Sequence, residues 1–96
     1  MEYKITFTKE ADKDLDNIRE HIWADSEKTA LRVVMEITKN IDLLKTMPSI
    51  GRAGQVLRTR ELVITKYPYI VAYQVRDNVV YILRILHTSR KWDEII

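Results

Sequence analysis

The run VVYILRIL, Val79 to Leu86, is apolar at both parities except at Arg84. Such a run is expected to form a central strand covered on both faces, so the rest of the chain has to supply neighbouring strands and a layer over them. The preceding residues supply the strands. IVAYQV, Ile70 to Val75, reads as a partner strand, and RDN, Arg76 to Asn78, as the tight polar turn joining the two. RTRELVIT, Arg58 to Thr65, reads as a third strand, with YPY as the bend that follows it, giving an antiparallel meander.

The N-terminal half supplies the layer. Tyr3 to Phe7, YKITF, alternates as a short strand, and Thr8 is placed to cap a helix with Glu10 and Asp12 near its positive end. Ala11, Leu15, Ile18 and Ile22 then recur at helical spacing, and so do Ala30, Val33, Val34, Ile37, Ile41 and Leu44 behind a second cap at Ser26. Pro48 is expected to stop this second helix. The short link at Asp25 makes the pair an antiparallel helical hairpin. MPSIGRAGQ, Met47 to Gln55, holds both glycines and is the one long loop, dividing helices from sheet. The expectation is an α+β fold, one domain over residues 1–96, with the N-terminal strand and helical hairpin packed on an antiparallel sheet.

At 96 residues, about 60–65% of the unfolded surface is buried, enough for one core. Function is therefore sought on a groove or face. Cysteine is absent, which removes disulfides, thiolate metal sites and cysteine nucleophiles. No apolar run reaches the roughly 20 residues of a membrane span, and the N-terminus does not read as a signal peptide, so a cytoplasmic protein with no membrane partner is expected. The charge is uneven. Residues 1–50 carry eight Lys/Arg against ten Asp/Glu, and residues 51–96 carry eight against four. Six of the eight cations in the second half are arginines, whose planar fork suits phosphate and carboxylate.

Candidate chemistry collects where the last strand ends. His87, Arg90 and Lys91 lie within five residues, joining proton exchange to phosphate or oxyanion binding. Arg58 and Arg60 are two apart, hence on one strand face, and with Arg84 they extend the basic surface. Strand-edge arginines are ordinarily solvated rims, and that reading competes throughout. Arg84 is the informative exception. A charge in so apolar a strand needs a carboxylate partner, Glu61 or another, or else a ligand site. Asp12, Asp14 and Asp16 read as a solvated helix face, His21 as a boundary residue, and Trp23 as packing or a partner contact. Two separated histidines give no metal-ligand spacing, and there is no P-loop, dinucleotide fingerprint or serine elbow. No metal or cofactor is expected.

Three segments in order, IGRAGQVLRTRELVI, YIVAYQV and ILRILHTSRKW, resemble the RelE/ParE superfamily of toxins from bacterial type II toxin-antitoxin modules, including those labelled plasmid stabilisation proteins. The resemblance spans essentially the whole chain. It implies two N-terminal helices on an antiparallel sheet and a cognate antitoxin that covers functional surface, with operator DNA reached only through that antitoxin. It also implies one of two targets. RelE-like members cleave messenger RNA in the ribosomal A site, for which His87 would be acid or base and Arg60, Arg84 and Arg90 would hold phosphate. ParE-like members inhibit DNA gyrase and need no catalytic set; Arg58, Arg60, Arg84, Arg90 and Lys91 would then be contacts. The paired strand lysines of RelE-type nucleases are not matched, since Glu61 and Val63 stand in that strand, and only DEII follows Trp92, leaving no terminal tyrosine-bearing helix. The ending HTSRKW is similar to the ParE type, so gyrase inhibition is the expectation. The alternatives are a ribosome-dependent endoribonuclease and an inactive member that only binds antitoxin.

Overall fold

The computed structural model describes residues 2–89. Strand β1 (Lys4–Phe7) leads into helix α1 (Lys9–Trp23), followed by α2 (Glu27–Asp42), a 3-10 turn (Leu43–Lys45), and strands β2 (Arg52–Ala53), β3 (Arg60–Ile64), β4 (Tyr69–Arg76) and β5 (Val79–His87). Both expected caps form: the Thr8 and Ser26 hydroxyls accept from the backbone N–H of Ala11 and Thr29 at 3.1 and 3.2 Å. The second apolar stripe runs to buried Leu44, but the α-helix ends at Asp42 and the 3-10 turn finishes it, ahead of Pro48.

The five strands form one sheet in the order β1-β5-β4-β3-β2. The meander is antiparallel as expected, whereas β1 lies parallel to β5, so the sheet is mixed. A parallel neighbour requires a long crossover, and the helical hairpin and meander between β1 and β5 supply it. β5 is thereby central, flanked on both edges. The hairpin joining β4 to β5 turns on Asp77 and Asn78, both in the left-handed region at φ 48° and 64°, as a two-residue turn matching strand twist requires.

β5 does not alternate cleanly. Ala72 pairs with Arg84 but Tyr73 with Ile82, so the register slips by one residue at Leu83. This bulge puts Ile82 and Ile85, three apart, into the same core under the helices, and turns Arg84 toward α1. That core joins Val33, Ile37, Ile41 and Leu44 of the hairpin to Leu62, Ile64, Val71, Tyr73 and Val80 of the sheet. On the opposite sheet face a smaller cluster of Ala72 and Leu86 is covered by Val56 and Leu83.

Two further sequence expectations are corrected here. The loop expected over residues 47–55 contains strand β2, Arg52–Ala53, paired with β3. Arg58 is not part of β3, which begins at Arg60; it sits before the strand with φ 65°, so strand alternation does not put Arg58 and Arg60 on one face.

Candidate functional site

Helical spacing places Asp14, Asn17, Ile18 and His21 along one side of α1, facing the C-terminal end of β5. Between them lies an open groove of about 530 Å³, whose sheet side is Tyr69, Arg84, Ile85, Leu86 and His87, with Ser89 at its end. Its centre is an ion pair. The Arg84 Nε and Nη2 donate to the two Asp14 carboxylate oxygens at 2.8 and 3.0 Å, and the Ile85 backbone N–H adds a third bond at 2.9 Å. The side chains are 16% and 13% exposed. The Asp14 hydrogen bonds hold the guanidinium above its ordinary value, burial opposing. Arg84 is thus answered by a carboxylate while still lining a groove, and the carboxylate is not Glu61.

His87 stands exposed at the end of β5, with its ring edge-on to Tyr69 at 5.5 Å between centroids. The Ser89 backbone N–H donates to its Nδ1 at 3.1 Å, and the Ser89 hydroxyl lies 2.9 Å from the same nitrogen. In the neutral ring the proton therefore belongs on Nε2, an assignment made from this hydrogen-bond geometry. Burial pushes the Tyr69 phenol up from its ordinary value.

Arg60, also selected from the sequence, belongs to a different network. Arg60 Nη1 donates to the carbonyls of Gly51 and Ser49 at 2.8 and 3.3 Å. Beside it, the fully buried Tyr73 donates its hydroxyl proton to the Pro48 carbonyl at 2.7 Å and accepts from Gly51 N–H at 2.9 Å. Burial raises the Tyr73 phenol, opposed by that Gly51 bond and the Arg60 charge. Gly51 is required here: a Cβ would stand 2.5 Å from the tyrosine hydroxyl. Glu61, only 5% exposed, takes Arg52 Nε and Nη2 at 3.1 and 3.0 Å and the Gln55 backbone N–H at 3.3 Å.

The four candidate residues that are described, Arg58, Arg60, Arg84 and His87, are therefore not one surface. Arg84 and His87 share the α1 groove. Arg60 pairs with Tyr73 while His87 pairs with Tyr69, four residues away along β4, about 13 Å by strand rise. Arg58 stays with the loop before β3, and Arg90 and Lys91 lie outside the described residues. Sequence reasoning missed Asp14 and His21 as groove residues. The signal for Asp14 was its spacing, three after Ala11 and four before Ile18, which puts it on the buried stripe instead of the solvated face. Among the described residues no group of three or more His, Cys, Asp and Glu is arranged to hold a metal ion, and no helix is long and apolar enough to cross a membrane.

Two helices on one face of a five-stranded mixed sheet define an α+β class shared with solved structures. A chain of the chromosomal ParDE toxin-antitoxin system from P. aeruginosa superimposes with a TM-score of 0.81 at 26% identity, covering 88% of this chain and 95% of that one. The conserved hypothetical protein HP0894 of Helicobacter pylori shares the fold at a TM-score of 0.58 and 20% identity, covering 92% and 97%. In sequence, the family described as the ParE toxin of type II toxin-antitoxin systems, parDE, matches residues 5–92, and the chain belongs to it. It is 36% identical over 93 residues to a candidate toxin of Sinorhizobium fredii, Y4kP, covering 97% of this chain and 96% of that protein. It is 34% identical over 87 residues to toxin RelE2 of Caulobacter vibrioides, covering 91% and 97%. This protein is accordingly a toxin of a type II toxin-antitoxin system, and its family implies a cognate antitoxin as partner.

Proposed function

We propose that this toxin arrests growth by binding and inhibiting DNA gyrase, without chemistry of its own. The observation carrying this reading is that Arg84, Arg60 and Arg52 are each already paired within the protein. Cleaving RNA through a 2′-hydroxyl needs a base, a proton donor and cations free to hold phosphate at one place. Arg84 is locked to Asp14, Arg60 to two loop carbonyls, and Arg52 to Glu61. Arg58, Arg60, Arg84, Arg90 and Lys91 act in this reading as contact or supporting residues. The antitoxin neutralises by laying an acidic segment over the basic half, and operator DNA is reached only through it.

A ribosome-dependent endoribonuclease is the second reading. It is favoured by His87, which ends a rigid strand in an open groove with its proton on Nε2. The purified toxin is tested in parallel for inhibition of gyrase supercoiling and for cleavage of ribosome-bound messenger RNA, with His87→Ala beside it. Gyrase inhibition retained within a few-fold by the variant supports the proposal. Messenger RNA cleavage that falls about 10²- to 10⁴-fold with His87→Ala would replace it with the nuclease. Neither activity, with free expression and normal growth in the absence of antitoxin, identifies an inactive antitoxin-binding member.

A further inference from the structure

Leu57, at the tip of the loop between β2 and β3, is 84% exposed, and the next residue, Arg58, is exposed with φ 65°. Loop tips are ordinarily polar, and a left-handed position is ordinarily glycine or asparagine. Neither choice here is one that stability alone would make.

The tip is nevertheless held firmly. Gly54 N–H donates to the Thr59 carbonyl at 2.8 Å, and Thr59 N–H to the Val56 carbonyl at 3.1 Å, while the buried Thr59 hydroxyl donates to the same Val56 carbonyl. A Cβ on Gly54 would fall 2.2 Å from the Thr59 hydroxyl oxygen, so glycine is what allows the two loop ends to close. Glu61, buried beneath, binds Gln55 N–H from below. Backbone strain held by surrounding structure around an exposed apolar side chain is the pattern of a pre-organised contact, because a rigid tip loses little freedom on docking.

We infer that Leu57 and Arg58 form the point of this toxin that docks on its target, and that the target presents a protein surface with an apolar socket beside a carboxylate. Leucine has no use for a phosphate track. Of the neighbouring arginines, Arg52 is paired with Glu61 and Arg60 with carbonyls, so the tip offers one guanidinium with no partner among the described residues, suited to a single fork-to-carboxylate contact. This rests on the reading of the protein as one that acts by binding a protein target.

The test uses the full chain with Leu57→Ala and, separately, Arg58→Gly, which deletes the guanidinium while leaving the left-handed turn unstrained. Circular dichroism and urea unfolding verify folding. Each variant is expected to need about tenfold or more protein for growth arrest and for half-inhibition of gyrase, as for an interface anchor. A loss confined to antitoxin capture would overturn the inference by making the antitoxin the occupant of the tip. Folded variants that arrest growth like the parent overturn the inference. So does a pattern in which Leu57→Ala is neutral and Arg58→Gly weakens only salt-sensitive binding to DNA, which would make the tip a phosphate contact. If the parent arrests growth without inhibiting gyrase, the gyrase reading fails by itself. Growth arrest by the two variants then still decides whether the tip docks.

Discussion

Replacing Asp14 by alanine tests the account of the groove most directly. The substitution leaves the Arg84 guanidinium facing no carboxylate and deprives Ile85 N–H of its acceptor. Removing one partner of a buried pair costs about 3–5 kcal/mol. Exposures of 16% and 13% let some water reach the guanidinium, so the lower end applies, and the lost backbone bond adds about 1 kcal/mol. The expected loss is therefore about 3–4 kcal/mol, against a total of roughly 5–14 kcal/mol for a chain of this length. Urea unfolding followed by far-ultraviolet circular dichroism should show it, and the thermal midpoint should fall by about 15–25 °C. Asp14→Leu combined with Arg84→Met should recover most of the loss, since an apolar pair of similar size leaves no charge uncompensated. A single-variant loss below about 1 kcal/mol, or no recovery in the pair, would refute the reasoning, because the ion pair would then be a solvated surface contact.

Tyr73→Phe strands the Gly51 N–H and the Pro48 carbonyl, and should cost about 1–3 kcal/mol in the same unfolding assay. Tyr69 and Tyr73 are both raised by burial, so the folded state retains protons that the unfolded chain gives up. Their contribution is full below the ordinary tyrosine value of about 10 and is lost as pH climbs beyond it. Phenolate absorbance should accordingly show Tyr69 and Tyr73 ionising above the ordinary tyrosine range. Glu61→Ala should loosen the loop without opening the core, read as faster tryptic cleavage after exposed Arg58 while the helical dichroism is kept.

The helical hairpin and meander were legible because each is specified locally: stripes at helical spacing, caps at Thr8 and Ser26, a polar turn at Asp77 and Asn78. The position of β1 was not, since pairing with a strand some seventy residues away leaves no local pattern. The bulge at Leu83 was equally hidden, because a run apolar at both parities shows no change of phase. At the site, Arg84 and His87 could be selected as chemical exceptions on a strand. Asp14 could not be chosen over Glu61 as the partner of Arg84, because that choice depends on how α1 crosses the sheet. Arg58 was misplaced because RTREL alternates well enough to extend a strand that begins only at Arg60.

The parallel pairing of β1 with β5 also bears on how the toxin is made. Its first strand, the Thr8 hydroxyl bond to the Leu83 carbonyl and the Asp14–Arg84 pair all wait for residues 70 or more positions later. Translation at about 5–20 residues per second leaves a nascent chain several seconds without a closed sheet or a finished groove. Toxicity should thus begin only as the last strand clears the ribosome. A chain that stops short of β5 lacks the strand on which β1 pairs and the residue that answers Asp14, and such a truncated product is expected to leave growth unaffected.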